Sequence, residues 1–242
     1  MCIRDRSVGL HGDLFYKPAQ IGSEFLDYTG VVMAVDPSGR GSDELGYAVV
    51  AYLNGNLFLL ASGGFRGGYS EPNLKKLALL AKEYEVKQII VESNLGLGMF
   101  SELLKRYLGT IYPCSIEEVR HNKQKEVRII DTLEPVMNQH RLMIDTDIIT
   151  EDFRTTECYP GETRSQYQLF WQLTRITKEK NSIKHDDRLD ALAMAVHYFT
   201  QSMATTEKKA MDARYAEQWE LERKFIQGDQ GLSIDAIGYA QS

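Results

Sequence analysis

The sequence predicts an α/β fold in which a mixed β-sheet, three antiparallel strands followed by parallel strands, carries helices on both faces. Three observations indicate this class. Short apolar runs rich in β-branched residues are typical of buried strands, later segments place apolar residues at helical spacing, and the two kinds of segment alternate after residue 70. The predicted order is three strands, helix, strand, helix, strand and helix, then an insertion and a final helix.

The first three strands are expected to form an antiparallel meander. The first covers residues 31–35, a continuous apolar run that ends at Asp36. The second and third cover residues 46–53 and 57–60. Asn54-Gly55-Asn56 lies between them and is typical of a hairpin, because Asn and Gly accept positive φ angles.

The later elements follow from apolar residues that recur one helical turn apart and from short apolar runs between them. In chain order the predictions are a helix at 71–84, a strand at 88–92, a helix at 99–108, an extended segment at 111–119, a helix at 124–138, an extended segment at 140–145, a helix at 166–177, a helix at 186–199 and a charged helix at 207–225.

Composition excludes several classes of protein. The chain has 242 residues and no apolar run near the roughly 20 residues that span a bilayer. Its N-terminus lacks the apolar core of a signal peptide. Three cysteines without a CxxC pair fit a reducing cytoplasm. We expect residues 1–29 to be a tail or linker, residues 30–204 a globular domain, and residues 205–242 a charged helix with a flexible tail.

Acidic residues stand where predicted buried strands end. Asp36 closes the first strand, Glu92 closes a central one, and Asp186, Asp187 and Asp190 open the last helix of the domain. Functional groups gather at the carboxyl ends of strands in open α/β sheets, so these carboxylates are expected to converge. Their mutual repulsion favours divalent cations such as Mg²⁺ or Mn²⁺. Each acid taken alone also fits a turn, a cap or a helix dipole.

Basic side chains concentrate in two stretches, residues 120–128 and 163–184, although the chain has a net charge of −6. This distribution predicts a local phosphate-binding surface. The alternative is solvated loop charge. Arg188 and Lys184 beside the last acids are open to the same two interpretations.

Four segments together resemble the nuclease domain of phage terminase large subunits in its T7-like form. They are Ala34–Gly41, Val91–Asn94, Asp131–Leu142 and His185–Ala193, and the resemblance runs from about residue 31 to residue 199. It implies an RNase H-like fold for the domain at 30–204. It also implies an endonuclease that cuts concatemeric viral DNA into genome-length units during packaging.

The resemblance carries residue roles with it. It implies two bound divalent cations, Mg²⁺ or Mn²⁺, and catalysis by Asp36, Glu92 and Asp187. Asp190 matches a further ligand, and Asp186 is a substitute for Asp187. His185 is an auxiliary candidate that positions water or phosphate, with a structural hydrogen-bonding role as the alternative.

The resemblance further implies double-stranded DNA as substrate, the terminase small subunit and the capsid portal as partners, and action in the host cytoplasm. No GxxxxGK[ST] phosphate loop occurs, so we expect the ATPase domain to be absent from this chain and the chain to be a fragment. The predicted contacts to DNA phosphates are Arg66, Lys123, Lys125, Arg128, Lys178 and Lys180.

Two other functions remain open from the residues. A RuvC-type junction resolvase or a transposase-like nuclease would keep the fold and change the DNA substrate. A non-catalytic docking module of a packaging motor would use the same acids only to cap helices and shape turns.

Overall fold

The structure is a computed structural model that describes residues 4–8, 14–18, 25–37, 43–93 and 98–229. Residues 38–41 and Asn94 of the terminase-like segments lie outside this part, as does the predicted tail from residue 230 onward. The chain divides into two units, residues 1–198 and 199–242, which are described separately. Among the described residues, no helix combines the length and the apolar character needed to cross a membrane.

The strands form two sheets. A two-stranded antiparallel sheet pairs β1 with β2. The six-stranded sheet has the order β7-β6-β3-β4-β5-β8. Within it β3, β4 and β5 are antiparallel neighbours, whereas β6, β7 and β8 each join in parallel. The bounds are β1 Arg4–Val8, β2 Leu14–Pro18, β3 Gly30–Asp36, β4 Leu45–Leu53, β5 Asn56–Phe65, β6 Gln88–Glu92, β7 Ser115–Val119 and β8 Leu142–Ile144.

Six α-helices and a short 3₁₀ helix at Arg164–Tyr167 complete the described part of the chain. The α-helices are α1 Glu71–Glu83, α2 Met99–Ile111, α3 Lys125–Asn138, α4 Thr146–Thr155, α5 Leu169–Arg175 and α6 Asp187–Asp229. Helix α6 continues into the second unit, where Met211, Tyr215 and Trp219 are exposed.

The sheet is buried on both faces, as its continuous apolar strands predict. Alternate residues of β3 such as Met33 pack with Leu77 of α1 and Leu104 of α2 in one core cluster. Val32 and Ile90, which point to the opposite face, are buried as well. The predicted α/β class with a mixed sheet and helices is therefore confirmed.

The meander and its turn agree with the sequence pattern. Asn54 and Gly55 adopt φ angles of 49° and 82°, the left-handed region that the hairpin signal requires. Strand β5 continues past the predicted end at residue 60 to Phe65, because its second half still pairs with β4 up to Leu45↔Phe65.

Several local predictions were wrong. The structure divides the predicted helix at 166–177 into the 3₁₀ helix and α5, and it joins the helices predicted at 186–199 and 207–225 into α6. Helix α4 and strands β1 and β2 were not predicted at all. The boundaries proposed for the domains at residues 29 and 204 stay predictions.

Arg188 is the main polar anchor of the fold, and its position overturns the two surface roles suggested for it. Its side chain is 0% exposed. Nε donates to Glu44 Oε2 at 2.8 Å and one terminal nitrogen donates to Asp152 Oδ1 at 2.8 Å. The same terminal nitrogen reaches Thr155 Oγ1 at 2.9 Å. The guanidinium thus joins the start of α6 to α4 and to the residue before β4.

Gly46 lets α6 approach the sheet. It pairs with Asp36 across the β3–β4 ladder. A Cβ atom at this position would lie 2.3 Å from the backbone oxygen of Asp187, so no larger residue fits without displacing the helix. The close approach brings the first turn of α6 to the end of β3.

We predict that Arg188→Ala lowers the free energy of unfolding by about 3–5 kcal/mol, because Glu44 and Asp152 would remain as buried, uncompensated charges. Urea denaturation measures the change. Arg154→Ala is the matched control, since Arg154 pairs with Glu151 at 2.7 Å on the surface and should change stability little. Equal effects of the two substitutions would contradict the role assigned to Arg188.

Candidate metal centre

Three carboxylates meet where two parallel strands and a helix come together. Asp36 ends β3 and Glu92 ends β6, and these strands are parallel neighbours with Val35 opposite Val91. Asp190 lies in the first turn of α6. One oxygen of each carboxylate lies within 4.8 Å of the others. We call Asp36, Glu92 and Asp190 the carboxylate cluster.

Burial and mutual repulsion perturb the cluster. Burial raises the pKa of Asp36 to about 7, with Asp190 and Glu92 adding to the shift and Lys125 opposing it. The pKa of Glu92 is also raised, mainly by burial and then by Asp190. Desolvated carboxylates held this close cost free energy when ionised, and a bound cation relieves that cost.

Lys125 and Arg128, on the first turn of α3, partly neutralise these acids. Lys125 Nζ lies 3.1 Å from Asp36 Oδ2, 3.1 Å from Asp190 Oδ2 and 2.9 Å from Asp186 Oδ1. Arg128 donates to Asp190 Oδ2 at 2.9 Å. Although burial opposes its charge, Asp190 and Asp36 raise the pKa of Lys125 above its ordinary value.

Asp187, predicted to bind metal with Asp36 and Glu92, falls into a different set. Its ligand oxygen, one of Asp43 and a ring nitrogen of His185 lie within 4.8 Å of one another. We call Asp43, His185 and Asp187 the histidine group. Burial raises the pKa of Asp187 to about 8, with the nearby Asp36 carboxylate contributing next. Asp190 therefore lies in the group of Asp36 and Glu92 and Asp187 in the other, and the role of each in metal binding stays a prediction.

His185 is held by its surroundings. Its side chain is 3% exposed and its ring stacks on Tyr167 with centroids 4.1 Å apart. Tyr167 in turn stacks on Tyr159 at 3.7 Å. Burial lowers the pKa of His185, and the Asp43 carboxylate opposes this in part. The imidazole is thus favoured in its neutral form.

The donor sets fit divalent cations. Three carboxylate oxygens suit a hard ion such as Mg²⁺ or Mn²⁺. Burial is the main cause of the raised pKa values of Asp36 and Asp187, and the Lys125 ammonium group opposes it only in part. The number of ions stays a prediction, as do the direct roles of Asp186, Asp187 and Asp190.

The predicted DNA contacts occupy three settings. Lys123, Lys178 and Lys180 are exposed, and Gln124 donates to the backbone oxygen of Lys178 at 3.1 Å, which holds the 178–181 segment beside the start of α3. Arg66 is exposed too and its guanidinium lies 5.1 Å from the Tyr159 ring. Lys125 and Arg128 instead bind carboxylates. Contact between these six residues and DNA stays a prediction.

Sequence reasoning missed Asp43, Glu44 and Asp152. Acids were expected at the carboxyl ends of strands, whereas Asp43 and Glu44 precede β4. An acidic pair directly before a continuous apolar strand was the available signal. Asp152 had none, because α4 was not predicted. It accepts hydrogen bonds from the backbone of Leu169 and Phe170.

Comparison with known proteins agrees with the fold. Residues 35–142 match the family described as Terminase Bacteriophage T7, Ribonuclease H-like domain. The terminase large subunit of Enterobacteria phage T3 is 42% identical to this chain over 197 residues, which are 81% of this chain and 34% of that protein. The chain therefore spans about a third of that relative's length.

Solved terminase nuclease domains share lower similarity with this domain. The human cytomegalovirus terminase nuclease domain, soaked with Mn and bound to an inhibitor, has 13% identity and a TM-score of 0.49, covering 70% of this chain and 82% of that one. A mutant gp2c of the large terminase subunit of bacteriophage Sf6, with calcium, has 16% identity and a TM-score of 0.47, covering 70% and 89%.

We predict that Lys125→Met tightens Mg²⁺ binding about tenfold, equivalent to about 1.4 kcal/mol, because the ammonium group competes for the same oxygens. Isothermal titration calorimetry of metal-stripped protein measures the affinity. Lys123→Met, two residues away and exposed, is the control and should leave the affinity unchanged. Weaker or unaltered binding by Lys125→Met would contradict this competition.

Proposed function

We propose that this chain is the endonuclease domain of a phage DNA-packaging terminase, which cuts concatemeric double-stranded DNA by metal-dependent hydrolysis of phosphodiester bonds. The carboxylate cluster carries the proposal, because it places three buried acids from β3, β6 and α6 within reach of one cation. The family match over residues 35–142 favours a terminase over a junction resolvase or a transposase.

Different acidic residues are proposed to hold different cations. Asp36, Glu92 and Asp190 would hold one divalent cation. Asp187, whose pKa the Asp36 carboxylate helps to raise, would hold a second. Such ions lower the pKa of a bound water and stabilise the charge that develops on the phosphate. In the reaction, the water oxygen bonds to phosphorus, the bond from phosphorus to the 3′ oxygen breaks, and that oxygen takes up a proton. The products are 5′-phosphate and 3′-hydroxyl ends.

The DNA-binding surface is proposed to be the exposed lysines beside the start of α3. Lys123, Lys178 and Lys180 are exposed around the helix whose first turn contacts the carboxylate cluster. Contacts to phosphates position a duplex without reading its sequence. The terminase small subunit and the capsid portal are the proposed partners, in the host cytoplasm, and they would supply any choice of cutting site.

We predict that Asp36→Asn, Glu92→Gln and Asp190→Asn each reduce plasmid nicking in Mn²⁺ or Mg²⁺ by at least about 100-fold, or about 2.7 kcal/mol in activation free energy, because each removes a ligand charge. Conversion of supercoiled plasmid to nicked and linear forms on agarose gels measures the rate. Circular dichroism verifies that each variant is folded.

The control for nicking is Glu102→Gln, which removes an exposed carboxylate paired with Lys105 at 2.6 Å on the surface of α2. It should cut as the wild type does. A folded wild-type chain that never nicks DNA with either metal would contradict the nuclease and favour a docking module. Preference for four-way junctions over linear duplex would favour a resolvase.

We also predict that combining Lys123→Ala, Lys178→Ala and Lys180→Ala weakens duplex binding. The plot of log affinity against log salt concentration has a negative slope. Each DNA phosphate that is no longer neutralised by a lysine should make this slope less steep by about 0.9. Fluorescence anisotropy in EDTA measures this without cleavage. Lys75→Ala, on the exposed side of α1, is the control. An unchanged slope would show that the DNA lies elsewhere.

A further inference from the structure

The turn between β5 and α1, residues 66–69, starts at the edge of the sheet where the carboxylate cluster lies. Strands β3 and β5 both run antiparallel to β4, so they end at the same edge. The registers place Asp36 beside Gly46, and Gly46 beside Gly64, in one row across the sheet. Since neighbouring strands are about 4.8 Å apart, the backbones of Asp36 and Gly64 are separated by about 10 Å. The β5–α1 turn therefore begins close to the cluster.

Tyr69, the last residue of this turn, extends along that edge toward α2. Its ring packs against the ring of Phe100, with centroids 5.2 Å apart. Phe100 is buried in the first turn of α2, the helix that follows β6. Because β3 lies between β4 and β6 in the sheet, a side chain between the end of β5 and the start of α2 lies beside the end of β3. The Asp36 carboxylate accordingly adds to the effect of burial in raising the pKa of Tyr69.

The β5–α1 turn is held in one conformation. Asn73 is buried in α1, and its side-chain amide donates to the backbone oxygens of Arg66 at 2.8 Å and Gly68 at 3.0 Å. Gly67 and Gly68 have φ angles of 89° and 53°, which glycine adopts without strain. A turn fixed in this way presents Arg66 and Tyr69 to a ligand with little loss of conformational entropy on binding.

The Tyr69 hydroxyl is available to a ligand. The side chain is half-buried, and among the described residues no group accepts a hydrogen bond from this hydroxyl. Because the pKa of Tyr69 is raised, the hydroxyl stays protonated above neutral pH and remains a donor. Arg66, three residues earlier, is exposed and carries a positive charge. Tyrosine hydroxyls and arginine side chains are both usual hydrogen-bond donors to DNA phosphates.

We propose that Tyr69 binds the DNA phosphate that is cut, with its hydroxyl donating to a non-bridging oxygen and holding that phosphate beside the carboxylate cluster. Arg66 then contacts a neighbouring phosphate of the same duplex. A neutral donor suits the position next to Asp36, because a further cation there would compete with metal ions for the carboxylates. The inference rests on the proposed nuclease function and deepens it by assigning a substrate contact outside the acidic residues.

Tyr69→Phe tests the contact, because it keeps the ring that packs on Phe100 and removes only the hydroxyl. We expect single-turnover nicking of plasmid by the whole chain in Mn²⁺ to slow about tenfold at saturating protein. The slope of log affinity against log salt, measured in EDTA, should stay unchanged because a neutral hydroxyl releases no counterions. Tyr107→Phe is the control and should nick as the wild type does, since the Tyr107 hydroxyl bonds to Glu71 instead.

The outcomes separate this inference from the nuclease proposal. A wild-type chain that nicks plasmid, with Tyr69→Phe nicking at the same rate, would overturn the contact and leave the nuclease standing. Slower nicking together with weaker Mn²⁺ binding in calorimetry would also overturn it, because the hydroxyl would then act on the metal site. A loss that disappears at saturating protein would move Tyr69 to a flanking phosphate and overturn the contact at the cut. A wild-type chain that never nicks would contradict the nuclease and the inference together.

Discussion

The burial of Arg188 is the constraint on which the rest of the site depends. A fully buried guanidinium needs anionic partners, and Glu44 and Asp152 supply them from the start of β4 and from α4. These contacts, together with the close approach at Gly46, hold the first turn of α6 against the end of β3. The side-chain contacts of Arg188 that help to position the acids on either side of it are made to Glu44 and Asp152, not to those acids themselves.

Placing these acids close together costs electrostatic free energy. Folding gathers acids that would repel each other in a desolvated setting, and α3 brings Lys125 and Arg128 to offset part of the charge. The pKa values of Asp36 and Asp187 stay raised, mainly because both carboxylates are buried. Acids with perturbed pKa values cluster at functional sites, where activity is commonly gained at some cost in stability.

Much of the fold followed from hydrophobic pattern. Strands β3 and β6 are short, continuous apolar runs, and α1 and α2 show clear helical spacing, so local sequence sufficed for each. Helix α4 was missed because its sequence is mixed and polar, with only Asp152 buried along it. Its buried residue Asp152 contacts Arg188 and α5, which are distant in sequence and invisible to a local pattern.

The amino-acid pattern was enough to place Asp36 and Glu92 each at the end of a buried strand. The sheet topology brings them together, because β3 and β6 are parallel neighbours and so end at the same edge. Which acid of α6 joins the carboxylate cluster and which joins the histidine group depends instead on packing between distant elements. Helical spacing places Asp186, Asp187 and Asp190 near one another, but the rotation of the helix, set by Arg188 and Gly46, turns Asp190 toward Glu92 and Asp187 toward His185. Rotation about a helix axis depends on packing partners, which no local pattern encodes.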